Sequence, residues 1–202
     1  MVPAPRSGVG SGTVPTTITP LPFTTARLDA LPLEPAYAEE MATVLADPAL
    51  YVFTGGGPPD PAALRSRYER QSAGSPDPGE LWWNWVLRVR ADGVLAGYVQ
   101  ATVRGPRAEI AWVVGTPWQG RGYAIEAAKG LAAHLVEAGG VRELVAHVHP
   151  DHAASEAVAA AAGLRPTGEW EDGERRWTGP VAWGSGPGAR ASGPLIHSSG
   201  CT

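Results

Sequence analysis

The sequence predicts an α/β domain with a mixed central sheet and flanking helices, and two observations carry this prediction. Three strand-like segments, 81–89, 94–103 and 108–114, are separated only by short turns, which is typical of an antiparallel meander. The last of them leads through a glycine-rich turn into a helix and then into a strand at 143–149. Such a strand–helix–strand crossover is right-handed and makes its two strands parallel neighbours.

The length of 202 residues suits one domain with a core of ordinary size. Residues 1–24 and 184–202 are rich in Pro, Gly, Ser and Thr without any period. We therefore expect a flexible N-terminal arm and a disordered C-terminal tail around a domain at 25–183. The only cysteine, Cys201, lies in the tail, which argues against a disulfide framework and a cysteine-based metal site.

A short strand is expected at 25–33, and two helices follow it before the meander. The first helix begins at Pro35. Its apolar residues recur with helical spacing on one face, namely Tyr37, Met41, Val44 and Leu45. The second helix begins at Pro61 behind an Asp60 cap. The glycines at 55–57 between them are followed by prolines, which lack N–H donors, so we expect a mobile loop there instead of a phosphate site.

The strand at 81–89 alternates between two kinds of side chain. One face is apolar and consists of Leu81, Trp83, Trp85, Leu87 and Val89. The other face carries Asn84 and Arg88. The alternation predicts a half-buried strand with one face on the core.

The most informative stretch runs from Gly115 to Leu135. Its helix places small and apolar residues on one face, namely Ala124, Ala127, Ala128, Leu131, Ala132 and Leu135. Gly120 and Gly122 remove side-chain bulk where the turn enters the helix. Several main-chain N–H groups can therefore point at one anion, and a phosphate is the anion that this pattern favours.

Several interpretations of this turn compete. The spacing from Gly115 to Gly122 approaches a nucleotide-triphosphate loop, but the lysine and the Mg-binding Ser or Thr of that loop are missing. The pair Gly120 and Gly122 lacks the third glycine of a dinucleotide fingerprint. An ordinary glycine turn before a helix is a further alternative. The remaining pattern is Gln119-x-x-Gly122-x-Ala124.

That pattern resembles the acetyl-CoA pyrophosphate loop of the GNAT N-acyltransferase superfamily. Four landmarks in the same order resemble the branch that acetylates ribosomal-protein N-termini: Thr25-Ala-Arg27-Leu28, Ala108-Glu-Ile110, Trp118-Gln-Gly-Arg-Gly-Tyr-Ala124 and the segment Pro150 to Ser155. The resemblance covers about residues 25–178. It implies the GNAT fold, in which a mixed sheet combines an antiparallel meander with a splayed pair of parallel strands.

The resemblance also implies where acetyl-CoA, the cosubstrate, binds. The loop residues assigned to its diphosphate are Gln119, Gly120, Arg121, Gly122, Tyr123 and Ala124. In the family, the pantetheine arm lies between the two splayed strands. This assigns main-chain contacts to Trp112, Val113 and Val114. The family's Pro-x-Asn-x-x-Ser segment has His152 in place of Asn here, and it adds His152 and Ser155 as cofactor contacts.

The acyl-transfer chemistry needs a base, an oxyanion donor and an acid. An amine attacks a thioester only when neutral, and α-amino groups titrate near ~8, so Glu109 is the candidate general base. The alternative is a solvated or salt-bridged Glu109 beside Arg107. A main-chain N–H of Val113 or Val114, freed by a strand bulge, is the expected oxyanion donor. Many relatives in the resembled family offer a tyrosine on the helix after the serine. This helix has none between Glu156 and Ala162, so Ser155 or water is expected to protonate the thiolate, with His152 as the less favoured donor.

Composition restricts the partners. A net charge of −4 and a pI near 5.7 disfavour binding to nucleic acid. No run approaches the ~20 apolar residues of a membrane span, and the N-terminus has no secretory apolar region, so we expect a cytoplasmic protein. Three histidines, His147, His149 and His152, lack the cysteines and clustered carboxylates that would favour a metal site.

The predicted activity is N-acetyl transfer to a primary amine in a ternary complex. The acceptor is either a protein N-terminus or a small amine such as an antibiotic or polyamine, and the sequence does not decide between them. A non-catalytic acyl-CoA-binding module is the alternative from another class. The expected assembly is a monomer or a homodimer.

Overall fold

Eight strands form one mixed sheet in the computed structural model, which describes residues 20–180. The strands are β1 (Phe23–Thr24), β2 (Leu28–Pro32), β3 (Leu81–Val89), β4 (Leu95–Arg104), β5 (Arg107–Val114), β6 (Glu143–Val148), β7 (Arg165–Glu171) and β8 (Glu174–Pro180). The helices are α1 (Ala38–Val44), α2 (Pro61–Ser72), α3 (Tyr123–Gly139) and α4 (Ala153–Ala161). The strand order is β1-β2-β3-β4-β5-β6-β8-β7.

The sheet topology confirms the predicted α/β fold. Strands β3, β4 and β5 are consecutive antiparallel neighbours and form the meander. Strands β5 and β6 are parallel, as the crossover through α3 requires. Within residues 20–180 every other neighbouring pair is antiparallel.

Helices cover both faces of the sheet, and this corrects the prediction of a half-buried β3. One core cluster contains Trp83 and Trp85 of β3 together with Leu131 of α3. A second cluster packs Val86, from the opposite face of β3, against Met41 and other residues of α1 and α2. The strand is therefore buried on both sides, because α1 and α2 cover the face that carries its polar residues. Its amide side chain, Asn84, is only 9% exposed.

The helix boundaries follow local signals. The Asp60 carboxylate accepts a hydrogen bond from the Ala63 N–H at 2.8 Å, so the predicted cap of α2 is confirmed. Helix α3 begins after Gly122 and ends at Gly140, which adopts φ +62°. A left-handed residue at this position is the usual way to end a helix.

The predicted arm and tail lie mostly outside the described residues, as does Cys201. At the N-terminal edge, Phe23–Thr24 pairs with β2, and the Trp85 indole N–H donates to the Leu21 carbonyl at 2.9 Å. The ordered sheet thus already includes residues just before position 25. Among the helices of residues 20–180, none has both the length and the apolar character needed to cross a membrane.

Candidate active site

A gap opens between the parallel strands β5 and β6. Their paired residues are Arg107 with Glu143, Ala108 with Leu144 and Glu109 with Val145. Beyond Glu109 and Val145 the two strands continue without pairing, β5 to Val114 and β6 to Val148. The sheet is therefore splayed from this vertex onward, in agreement with the fold that the sequence predicted.

The β4–β5 ladder decides which main-chain groups of β5 face the gap. Arg104 and Arg107 flank a two-residue turn and therefore form a hydrogen-bonded pair of the ladder. At its other end, the Gly115 N–H donates to the Ala96 carbonyl at 2.8 Å. The odd-numbered residues of β5 thus bond to β4. The main-chain groups of β5 alternate between the two sides. By this alternation Trp112 and Val114 face the gap.

The main chain of Val113, in contrast, faces Tyr98 on β4. The ladder between β4 and β5 shows no register shift, so the bulge expected around Val113 or Val114 is wrong for this ladder. Alternation of the strand itself turns Val114 toward the gap, and no extra residue is needed. The N–H of Trp112, a residue already expected to contact the cofactor through its main chain, faces the gap as well.

The turn after β5 presents a row of main-chain donors. Within residues 20–180, the N–H groups of residues 120–125 have no hydrogen-bond partner. Gly120 and Gly122 adopt φ +72° and +78°, a region that suits glycine and that bends the turn into the start of α3. Free N–H groups and the positive end of a helix dipole are the features that favour an anion at such a turn.

The side chain of Gln119 does not point into this row of donors. Its amide Nε2 donates to the Val114 carbonyl at 2.9 Å, and its main-chain N–H donates to the Thr116 carbonyl at 3.2 Å. Gln119 therefore connects the turn to the end of β5 and holds both in place. The Val114 carbonyl thus already accepts a hydrogen bond from Gln119. The Val114 N–H is therefore the main-chain group of this residue that can bind a ligand in the gap.

Residues near the N-terminus of the domain fasten the same turn. Arg27 Nε lies 2.6 Å from Glu126 Oε2, and its Nη1 donates to the Arg121 carbonyl at 2.9 Å. The Thr25 hydroxyl donates to the other Glu126 oxygen at 2.6 Å. The Arg27 guanidinium also lies over the Tyr123 ring, 4.7 Å from its centre. The Thr-x-Arg landmark thus holds the glycine turn, and Glu126 is a site residue that the sequence analysis missed.

The pKa of Glu126 is lowered from its ordinary value. Burial raises it, but the hydrogen bonds from Thr25 and Arg27 outweigh burial. A carboxylate with a depressed folded-state pKa stabilises the fold above the unfolded value of ~4.3, and this stabilisation is lost as the pH falls through the folded value. Glu126→Gln should therefore lower the Tm at pH 7 by ~2–4 °C, for a partly exposed interaction of about 1 kcal/mol.

The Tm difference between wild type and Glu126→Gln should shrink at pH 4 and below, as measured by thermal denaturation at both pH values. Glu156→Gln is the matched control, because Glu156 also lies in the first turn of a helix. A Tm difference that stays constant with pH would contradict the role assigned to the Glu126 charge.

The start of α4 keeps its cap despite the change from Asn to His. His152 Nδ1 accepts a hydrogen bond from the Ser155 N–H at 3.1 Å. Phe53, from the loop between α1 and α2, packs against His152 at 4.5 Å and against His149 at 5.1 Å between ring centres. This loop therefore reaches the far end of β6 and lies beside the open end of the gap.

Glu109 lies at the vertex of the gap and lines a cavity of about 230 Å³. The Glu109 side chain is 51% exposed, and its Oε1 lies 3.2 Å from His147 Nδ1. The other ring nitrogen, Nε2, lies 3.2 Å from Glu171 Oε2. Arg107, which was considered as a salt-bridge partner of Glu109, pairs instead with Glu143 at 2.9 Å. A carboxylate, an imidazole and a second carboxylate thus form a continuous chain.

The three histidines that raised the question of a metal do not converge. His147 contacts two glutamates, whereas His149 and His152 contact Phe53. In the part of the chain from 20 to 180, no three His, Cys, Asp or Glu side chains are arranged to hold a metal ion.

Residues 27–165 match a family model described as the acetyltransferase (GNAT) domain. This match spans well over half of the chain and includes the meander, the glycine turn and the start of α4. No curated protein sequence matches the chain.

Several solved structures share the fold. An acetyltransferase of the GNAT family from Bacillus anthracis has a TM-score of 0.68 at 16% identity, covering 80% of this chain and 99% of its own. RimL, named a ribosomal L7/L12 alpha-N-protein acetyltransferase in complex with coenzyme A, has a TM-score of 0.62 at 16% identity, covering 76% and 94%. A spermidine N-acetyltransferase SpeG chimera from Vibrio cholerae and hSSAT has a TM-score of 0.62 at 14% identity, covering 77% and 96%. At these identities the likeness concerns the fold.

Proposed function

This chain belongs to the GNAT acetyltransferase family, and from that premise we propose that it transfers the acetyl group of acetyl-CoA directly to a primary amine in a ternary complex. The observation that carries the proposal is the row of partnerless N–H groups at residues 120–125, next to the open end of the β5–β6 gap. A diphosphate needs several donors converging on one place, and the gap next to them can accept an extended chain.

We place the pantetheine arm of acetyl-CoA along β5, from the glycine turn toward the vertex. The N–H of Val114 and the carbonyl of Trp112 would be its hydrogen-bond partners. From Val114 to Ile110 the strand extends about 13 Å at ~3.3 Å per residue, so an extended arm brings the thioester close to the vertex. The N–H of Trp112, the donor nearer the vertex, is our choice for stabilising the negative charge that develops on the thioester oxygen.

We assign the general-base role to Glu109. It takes a proton from the acceptor ammonium or from the attacking amine, the nitrogen then bonds to the acetyl carbon, and the C–S bond breaks. His147 offers a route for this proton, since an imidazole can accept a proton at one nitrogen and release one from the other. The route ends at Glu171, whose side chain is 72% exposed and therefore in contact with solvent.

The leaving thiolate must gain a proton to yield free CoA, although with a pKa near ~8.5 it is already a tolerable leaving group. We assign this step to the Ser155 hydroxyl or to water. The main-chain N–H of Ser155 donates to His152, which fixes the residue at the start of α4, and its hydroxyl forms no hydrogen bond with any group of residues 20–180.

A panel of amines tests the proposed function. The protein is incubated with acetyl-CoA and either peptides with free N-termini, polyamines or aminoglycosides, and thiol release is followed. We expect release that depends on one class of amine, which also decides between a protein N-terminus and a small molecule. If acetyl-CoA binds in a calorimetric titration and no amine gives turnover, the non-catalytic binding module is the better description.

A further inference from the structure

A second cavity of about 90 Å³ lies on the face of the sheet covered by α1 and α2. Its lining combines two residues of the α2 helix that are partly buried, Arg67 and Gln71, with residues of β3 and β4. Six polar side chains line it, namely Arg67, Tyr68, Gln71, Asn84, Tyr98 and Gln100. This cavity is separate from the one that contains Glu109.

The polar side chains of this cavity lack hydrogen-bond partners among the described residues. Across residues 20–180, none of these six side chains forms an ion pair or a hydrogen bond of normal geometry with another protein group. Tyr68 is only 3% exposed, and its hydroxyl is buried without a partner. Asn84 is 9% exposed. Buried polar groups are normally satisfied, so the buried Tyr68 hydroxyl without a partner, beside five other polar side chains that line the same cavity, points to a ligand that completes it.

The cavity is rich in donors and carries one cation. Arg67 contributes a guanidinium group, and among residues 20–180 no Asp or Glu lines the cavity. Burial raises the pKa of Tyr68 to about 12, with a smaller opposing effect from Arg67, although no hydrogen bond of normal geometry joins the two. Burial also raises the pKa of Tyr98. Both phenols therefore keep their protons and act as donors, and such a set of groups suits a carboxylate.

The position of the cavity connects it to the reacting centre. Tyr98, Gln100 and Thr102 alternate along β4 and therefore share one face. Thr102 pairs with Glu109 and lines the cavity of that residue. At ~3.4 Å per residue, Gln100 and Tyr98 lie about 7 and 14 Å along the strand from Thr102. An extended acceptor of a few residues is therefore long enough to reach from one cavity to the other.

We propose that this second cavity binds a carboxylate of the acceptor, so that the acceptor is a short peptide-like amine carrying a carboxylate on the order of 10 Å from its amino nitrogen. The inference rests on the proposed acetyl transfer at Glu109. The carboxylate can come from a C-terminus or from an acidic side chain. A polyamine fits poorly, because its second ammonium would meet the guanidinium of Arg67.

The test compares three acceptors that differ in the carboxylate, namely Ala-Ala-Ala with a free C-terminus, the same tripeptide as an amide, and Ala-Ala-Asp amide. For the wild type we expect kcat/KM at least tenfold higher for an acceptor with a carboxylate, through a lower KM. The first and third peptides distinguish the two sources of the carboxylate. In Arg67→Gln the ratio of kcat/KM for the acid to kcat/KM for the amide should fall to about one. Arg65→Gln, a change of the same kind on an exposed residue of α2, should keep the wild-type preference.

Equal kcat/KM for all three peptides in an active wild-type enzyme would overturn the carboxylate subsite and leave the proposed function intact. If no amine is acetylated, the proposed function fails, and the subsite is decided by binding alone. In that case the N-acetylated tripeptide, which cannot react, is titrated in the presence of CoA as the acid and as the amide. Equal affinities, or a preference that Arg67→Gln does not change, would overturn the inference.

Discussion

Replacing Glu109 by glutamine should lower kcat by about 10²–10⁴-fold at pH 7 and leave the affinity for acetyl-CoA unchanged. Glutamine keeps the size of the side chain and its contact with His147, but it cannot accept a proton. The loss should narrow as the pH rises above ~8, because the acceptor amine then loses its proton without help. Steady-state kinetics between pH 6 and pH 9, together with a calorimetric titration of acetyl-CoA, measure both quantities.

Glu169→Gln is the matched control for this change. Glu169 lines the same cavity and forms an ion pair with Arg176, but it belongs to the hairpin strand β7 and not to the vertex of the gap. We expect its kcat to stay within a few-fold of the wild type. If Glu109→Gln loses no more activity than Glu169→Gln, the base is another group or water, and the Glu109–His147–Glu171 chain is not a proton route.

Replacing Gly122 by alanine should weaken the binding of CoA by roughly 10–100-fold, which corresponds to the loss of one charge-assisted hydrogen bond of about 1.5–3 kcal/mol. Gly122 adopts φ +78°, and a Cβ at this position is strained in that conformation. Relief of the strain rotates the peptides on either side, so the N–H groups of residues 120–125 no longer converge. Calorimetric titration of CoA gives the change in Kd.

Gly140→Ala separates this effect from a general loss of stability. Gly140 lies at the other end of α3, adopts φ +62° and has open space where a Cβ would be placed. Both variants carry a similar backbone penalty of about 1–2 kcal/mol. Both should lose a few degrees in Tm, but Gly140→Ala should bind CoA as tightly as the wild type. Unchanged CoA affinity in Gly122→Ala would show that the glycine turn does not hold the diphosphate.

The features that the sequence predicted depend on local patterns. The alternation of β3, the short turns of the meander and the glycines before α3 are each encoded within a few neighbouring residues. They sufficed to predict the sheet order around β5 and the position of the glycine turn, whereas the splay was expected only from the resemblance to the family. The cap at Asp60 and the end of α3 at Gly140 are local in the same sense.

The features that escaped prediction depend on residues far apart in the chain. Arg27 and Glu126 are separated by 99 positions, and nothing local indicates that they meet. The chain from Glu109 through His147 to Glu171 joins three different strands, β5, β6 and β7. The burial of Asn84 requires α1 and α2 to cover the second face of the sheet. Hydrophobic alternation cannot reveal that cover, because it reports one face of a strand at a time.

The three-residue seam between β5 and β6 has a thermodynamic consequence. It leaves the meander and the C-terminal hairpin joined, within the sheet, by only a few interstrand bonds among the described residues. A coenzyme bound between them would contact both parts and would bind only the folded chain. The free energy of unfolding would then rise with the logarithm of the free coenzyme concentration. A fall in the cellular concentration of the acyl donor would therefore also lower the stability of the enzyme.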